Sequence, residues 1–226
     1  MDPRQKIGVV ETSILMTLFH QFSGVRVFPK SIGPADFEFY LKTILGNLHI
    51  MRRGEVEENE GYLQPISYIV PFCPGTGNVL VQTRAKDGGY DEDRLRGRLA
   101  IGHGGHFDEE DLLTVDPIIA NHIREPKEEL GFDPYVIGNN PFDLIGFIMD
   151  RSNPVGRVHF GLLSILKVPN QDFKRSGEAS KFDWVPALDL DTYLHRGEDT
   201  QPENWTVLAR LHLSAYFAGL LHVHTF

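Results

Sequence analysis

Cysteine is nearly missing. Cys73 is the only one in 226 residues. No intrachain disulfide can form, which fits a reducing compartment and removes disulfide-scaffold folds from consideration. No apolar run approaches the ~18 residues that a bilayer span requires. The N-terminal apolar stretch is broken by Glu11, His20 and Gln21 and follows an acidic residue, so it does not read as a secretory leader. Basic residues are in deficit: 22 Lys and Arg against 31 Asp and Glu give a net charge of −9. That balance argues against sequence-independent binding to a long nucleic acid, which needs a basic face. It leaves small phosphate substrates open, because a bound cation supplies positive charge locally. There is no internal repeat, low-complexity tract or Pro/Gly-rich linker. These absences predict a soluble cytoplasmic protein with no membrane partner, and they are compatible with a homodimer.

What is present reads as mixed α and β. Residues 11–22 place Ile14, Leu15, Leu18 and Phe19 at helical spacing, and a second helix starting near Pro34 carries Phe37, Tyr40, Leu41, Ile44 and Leu45. The polar segment 52–61 reads as a loop. Residues 1–60 hold no chemical motif and are expected to be a helical extension packed on a main domain over 61–226. In that domain, 66–72 and 79–85 flank the turn cluster PGTGN and predict a hairpin. Residues 98–105 read as a strand running into Gly104 and Gly105. A helix is expected over 116–130, with Asp116 as N-cap, Pro117 at the first helical position and Gly131 as the stop. Strands over 143–150 and 157–168 follow, then helices near 187–195 and 203–221. The order predicts an α/β or α+β fold, a mixed sheet covered by helices.

The segment HIREPKEELGF, 122–132, concentrates the chemistry. On a helix, measured around the axis from Glu125, Glu129 falls at about 40°, Asn121 at about −40° and Glu128 at about −60°, so all share one face. Ile119, Ile123, Pro126 and Leu130 lie at roughly 100° to 160° and predict the face that packs on the sheet. A solvated helix face is the plain alternative. Three close carboxylates, however, raise one another's pKa unless a cation compensates. Mg²⁺ takes oxygen ligands and keeps several waters, leaving room for phosphates. Arg124 can orient a carboxylate by a bidentate contact.

The residues Arg124-Glu125-Pro126-Lys127-Glu128-Glu129-Leu130-Gly131-Phe132, after a strand ending in Gly104-Gly105, resemble the Nudix hydrolase signature. That signature is a glycine, five residues, a glutamate, seven residues, then Arg-Glu-aliphatic-x-Glu-Glu-x-Gly-aliphatic. A wider stretch over about 60–190 resembles the branch of predicted Nudix phosphoesterases, through Gln64–Tyr68, Arg94-Leu95, Ile101–His106 and Asp150–His159. The resemblance implies an α/β/α sandwich and Mg²⁺- or Mn²⁺-dependent hydrolysis of a diphosphate linkage. It implies that Glu125, Glu128 and Glu129 supply metal ligation and base function, with Arg124 orienting them. Glu178, in a loop before a strand, is the expected further ligand. The implied substrate is a small phosphate compound, a nucleoside diphosphate linked to another moiety. Three departures stand out. Asp116 replaces the first glutamate, ten residues separate it from Gly105, and Pro126 sits inside the helix, where it removes a hydrogen bond and kinks the chain.

Among the remaining candidates, Gly104, Gly105 and His106 are expected to contact substrate, the glycines by close backbone approach to phosphate. Arg84, Arg94, Arg96 and Arg98 cluster nearby, and Arg94 is the preferred phosphate contact. Two other readings compete with hydrolysis at the glutamate helix. One is a Nudix-like nucleotide-binding or regulatory module without catalysis, suggested by Pro126, Asp116 and the long loop. The other is an unrelated zinc hydrolase built on His103, His106 and Asp108.

Overall fold

A computed structural model of the chain describes residues 2–20, 23–28, 30, 34–86, 95–137, 141–173, 179–197 and 201–225. Among them are ten strands: β1 (Lys6–Glu11), β2 (Gly24–Val27), β3 (His49–Arg52), β4 (Tyr62–Cys73), β5 (Asn78–Arg84), β6 (Leu99–Ala100), β7 (Phe142–Met149), β8 (His159–Lys167), β9 (Ala179–Pro186) and β10 (His224–Thr225). The α-helices are α1 (Thr12–Phe19), α2 (Pro34–Gly46), α3 (Arg53–Val56), α4 (Glu109–Leu112), α5 (Pro117–Leu130), α6 (Pro154–Val158), α7 (Leu190–Leu194) and α8 (Asn204–Phe217).

The centre is a parallel pair. β4 and β8 run side by side from Gln64 opposite His159 to Phe72 opposite Lys167. β8 pairs antiparallel with β7, whose other edge takes β2 and β10. On the far side of β4, β1 joins at Val10 opposite Leu63 and β5 at Phe72 opposite Val79; β5 continues to β9 and β6, and β1 to β3. β7 and most of β8 are buried on both faces, so they read as continuous apolar runs rather than alternating ones. Alternate residues of the two strands feed two cores. Ile145, Ile148, Leu163 and Ile165 meet Leu190 and Leu194 of α7 and Ala209 and Leu213 of α8. Leu144, Phe147, Phe160 and Leu162 meet Leu15 and Phe19 of α1, Phe37, Leu41 and Ile44 of α2, and Ile118 of α5. The result is the expected mixed sheet between helical layers.

Several expectations need correction. The N-terminal portion is not only helical: β1, β2 and β3 join the sheet, and the helix expected over 11–22 begins only after β1. Ile7 to Val10 are buried without interruption, a pattern whose period cannot separate strand from helix. The expected loop over 52–61 contains the single turn α3. The strand expected over 98–105 shortens to β6, and beyond it only isolated bridges, His103 to Ile69 and His106 to Ile66, continue along β4. The described residues include no helix long and apolar enough to cross a membrane.

α5 forms as its sequence predicts. Asp116 Oδ1 accepts from the Ile118 and Ile119 amides at 3.0 Å, Pro117 opens the helix, and Gly131 closes it in the left-handed region at φ 59°. Its inward stripe is rotated by one residue from the expected Ile119, Ile123, Pro126 and Leu130. Ile118, His122, Pro126 and Leu130 are buried, while Ile119 and Ile123 are only half-buried. His122 tolerates that position because Ser164 Oγ lies 2.7 Å from its Nε2 and Ser67 Oγ 3.2 Å from its Nδ1. Burial pushes its pKa down to about 3, so the ring is neutral.

Candidate functional site

The site lies where the 102–108 segment is pinned between β4 and α5. His103 and Ile69 exchange backbone hydrogen bonds at 2.8 Å, and the Ser67 amide donates to Gly105 O at 3.0 Å. Gly104 has φ 126°, and a Cβ there would stand 2.5 Å from Ser67 O. A Cβ on Gly105 would stand 2.9 Å from Glu125 Oε1. The glycine pair therefore lets the segment close on the strand from one side and on a helix carboxylate from the other.

The three glutamates occupy different environments. Glu129 Oε1 accepts from the Gly104 amide at 3.1 Å, and its Oε2 lies 3.2 Å from His103 Nδ1. Burial opposes ionisation of Glu129. The His103 contact, the Arg84 charge and the Gly104 N–H outweigh it and hold the carboxyl below its ordinary range. Glu125 is only 6% exposed. Desolvation, with the charges of Glu129 and Glu128, overrides Arg124 and pushes its pKa up to about 8. Glu128 is 60% exposed at the side chain and touches Arg124 Nη1 at 3.2 Å.

Arg124 is the hub. Its guanidinium reaches Asp111 Oδ2 at 2.6 Å, Glu125 Oε1 at 2.8 Å, Glu128 Oε2 at 3.2 Å and Asp108 Oδ2 at 3.3 Å, and it donates to His106 O at 2.9 Å. Burial works against its charge, but the Asp111 hydrogen bond with Glu125 and Asp108 raises its pKa above the ordinary value. Asp111, 3% exposed, was missed in the sequence. Five residues separate it from Gly105, and it faces the arginine, while Asp116 only caps α5. The signature's glycine-to-acid spacing is thus intact at Asp111, and the extra residues lie after it. They form the end of α4 and the exposed Leu113–Val115 link. The spacing itself was the available signal. Asn121 was placed on the carboxylate face, but it is fully buried: its Nδ2 donates to His106 O at 2.8 Å and Asp111 Oδ2 at 3.2 Å, and Ser67 Oγ donates to its Oδ1.

The histidines are committed inside this framework. His106 Nε2 lies 2.8 Å from Gln64 Oε1 and 3.3 Å from His159 Nε2. Desolvation, then the charges of His159, Arg53 and Arg124, put its pKa well below the ordinary value. His103 is depressed mainly by burial. A zinc site at His103 and His106 therefore meets one ring bound to Glu129 and another bound to Gln64 and His159. Arg94 and Glu178 lie outside the described residues. Arg84 is buried and paired with Glu203 at 2.8 Å, and Arg96 is exposed.

Among the described residues no group of three or more His, Cys, Asp or Glu side chains stands arranged to hold a metal. The donors nevertheless suit a hard cation that keeps several of its waters, which needs only one or two carboxylates. Glu125 is a desolvated carboxylate with two anionic neighbours, and Glu128 is free enough of burial to turn toward an ion. Beside Gly104 opens a cavity of about 260 Å³ whose walls include Tyr68, Arg84, His103, Val155 and Trp205.

No family model matches the chain. Over 120 residues it is 35% identical to protein YmaB of Bacillus subtilis (strain 168), an alignment covering 52% of this chain and 55% of that protein. The chain thus spans about half the length of that curated relative. Its backbone matches the crystal structure of Tm1382, by its name a candidate Nudix hydrolase, with a TM-score of 0.69 over 94% of this chain and 100% of that one, at 21% identity. A second match is the Nudix hydrolase of Alicyclobacillus acidocaldarius, with a TM-score of 0.52 over 68% of this chain and 91% of that one, at 19% identity. The chain therefore has the fold of the Nudix hydrolases.

Proposed function

We propose that this chain hydrolyses a diphosphate linkage in a Mg²⁺-dependent reaction. The substrate is a nucleoside diphosphate linked to another moiety, or a related phosphoanhydride. The observation that carries this reading is Glu125: a nearly buried carboxylate, pressed by Glu128 and Glu129 and set against the backbone of Gly105. Such an arrangement is costly unless a cation or a proton relieves it. Bound there, Mg²⁺ or Mn²⁺ would neutralise phosphate charge and lower the pKa of an attacking water. Glu129, held ionised and fixed by two hydrogen bonds, and Glu128 are the first-choice ligands. Glu125 serves as ligand or base: without metal its carboxyl is pushed up to about 8, chiefly by burial and by Glu129 and Glu128, so a bound cation would favour its ionised, proton-accepting form. Arg124 holds Glu125 and Glu128 in register. Gly104 and Gly105 let phosphate approach the backbone, and Arg94 and Glu178 complete the proposed set as phosphate contact and further ligand.

Phosphate release from a panel of nucleoside diphosphate derivatives, titrated with Mg²⁺, tests the reading. Turnover should require the metal and fall by at least about 100-fold in Glu129→Gln. Unchanged turnover in that variant rejects the assignment. One observation favours a second reading, a nucleotide-binding module without catalysis: Arg124 already contacts Glu125 and Glu128. Metal binding without hydrolysis across the panel would select it.

A further inference from the structure

Asn121 carries the only carboxamide side chain of α5, and it is fully buried. A buried amide is costly unless its polar atoms are paired. Here the pairing is complete, and it has a direction. Nδ2 donates to His106 O at 2.8 Å and to Asp111 Oδ2 at 3.2 Å. Both are acceptors: one is a carbonyl, and the other already takes Arg124 Nη2 at 2.6 Å and the Asp108 amide at 3.1 Å. The amide therefore cannot be turned over, and Oδ1 faces Ser67, whose hydroxyl donates to it. With its proton committed there, the Ser67 hydroxyl accepts from His122 Nδ1, 3.2 Å away. Nε2 of the neutral His122 ring then accepts from Ser164 Oγ at 2.7 Å. One oriented chain of hydrogen bonds thus runs from β8 through β4 and α5 to Asp111.

The end of that chain is shared. Asn121 Nδ2 and Arg124 Nη2 bind the same two atoms, His106 O and Asp111 Oδ2. The two residues are three apart on the helix, so they are neighbours on one face. Where Asn121 sets those acceptors, Nη2 follows. Nη1 of the same planar guanidinium holds Glu125 Oε1 at 2.8 Å and Glu128 Oε2 at 3.2 Å. Ser67 also donates its backbone amide to Gly105 O. A single residue of β4 therefore fixes the glycine segment by its backbone and, through Asn121, the arginine clamp by its side chain.

Resting on the hydrolase reading, we propose that Asn121 is a positioning residue for the reaction: it transmits the register of the β4–β8 pair to Arg124 and so holds Glu125 and Glu128 in their working arrangement. In this role it touches neither substrate nor metal. Its loss leaves the carboxylates present but poorly aimed, which slows the chemical step more than it weakens substrate binding.

The guanidinium N–H signals of Arg124, observed by ¹⁵N NMR in the metal-free protein, read the clamp without any need for turnover. The Nε–H signal of Arg84, paired with Glu203, is the internal reference. Arg124 should give resolved, slowly exchanging signals in wild type. In Asn121→Ala they should exchange about tenfold faster or broaden away while the Arg84 signal stays. In the phosphate-release assay, kcat per Mn²⁺-binding site should fall about 10–100-fold, with KM within about threefold of wild type. Combined with Asp111→Asn, the loss should be smaller than the product of the two single losses, because both act on Arg124. Ser67→Ala removes the hydroxyl that orients the amide. It should move both readouts the same way by about threefold or more, and it decides the matter if Asn121→Ala proves unfolded by circular dichroism. The inference is overturned if Arg124 is already loose in wild type, if folded Asn121→Ala keeps the wild-type Arg124 signals, if its loss lies in KM alone, or if the double variant shows the full product. Ordered Arg124 signals in a wild type that turns over no substrate of the panel would count against the hydrolase reading alone.

Discussion

Arg124 touches four carboxylates and a backbone carbonyl at once, and this sets the character of the site. Asp111 is nearly inaccessible, so removing its partner strands a buried charge. Arg124→Ala should therefore cost about 3–5 kcal/mol in urea unfolding, well beyond a surface pair. Glu125 gives a pH signature in the metal-free protein. Its folded pKa of about 8 lies above the ordinary 4.5, so the folded state binds the extra proton. Its contribution is complete below 4.5 and is lost as pH rises through about 8, a decline on the order of 5 kcal/mol that Glu125→Gln should flatten. Denaturant midpoints measured across that window check the sign; a rise in stability with pH would contradict it. At this scale the sequence exposed the three glutamates and the arginine because their spacing is local. It hid the contacts of Ser67, Asn121, Gln64 and Glu203, which depend on partners far along the chain.

α5 shows what a single element discloses. Its cap, first proline and glycine stop were readable because each acts within a turn. Its inward face was not, because His122 is buried through Ser67 and Ser164, which lie on β4 and β8. Pro126 fits mid-helix with its ring buried, and the Gly131 and Phe132 amides both close on its carbonyl. The helix also separates two aspartates that the sequence confuses. Asp116→Ala should cost about 1 kcal/mol of stability, the worth of a cap, and leave turnover unchanged. Asp111→Asn, which loosens Arg124, should lower turnover by about 10–100-fold. Equal effects of the two substitutions in the phosphate-release assay would undo the assignment of Asp111.

For the whole molecule, the first sixty residues are part of the sheet and its core rather than an appendage. β1 pairs with β4 and β2 with β7, and Phe19 packs against Phe147 and Phe160 at 5.5 and 5.4 Å. Residues 61–226 alone should therefore lack a cooperative thermal transition, and Phe147→Ala should cost about 3–5 kcal/mol in the full chain. A sharp transition in the truncated chain would show that the N-terminal part is dispensable. The sheet and its helical layers were legible because β7, β8 and α8 carry long apolar patterns. The N-terminal strands were not, because their pairing is decided by β4 and β7. The account as a whole depends on α5 holding a divalent ion. Mn²⁺ binding followed by electron paramagnetic resonance tests that most directly. Wild type should bind the ion saturably, and Glu125→Gln and Glu129→Gln should each weaken it strongly; no binding in wild type, or equal affinity in folded variants, would contradict it.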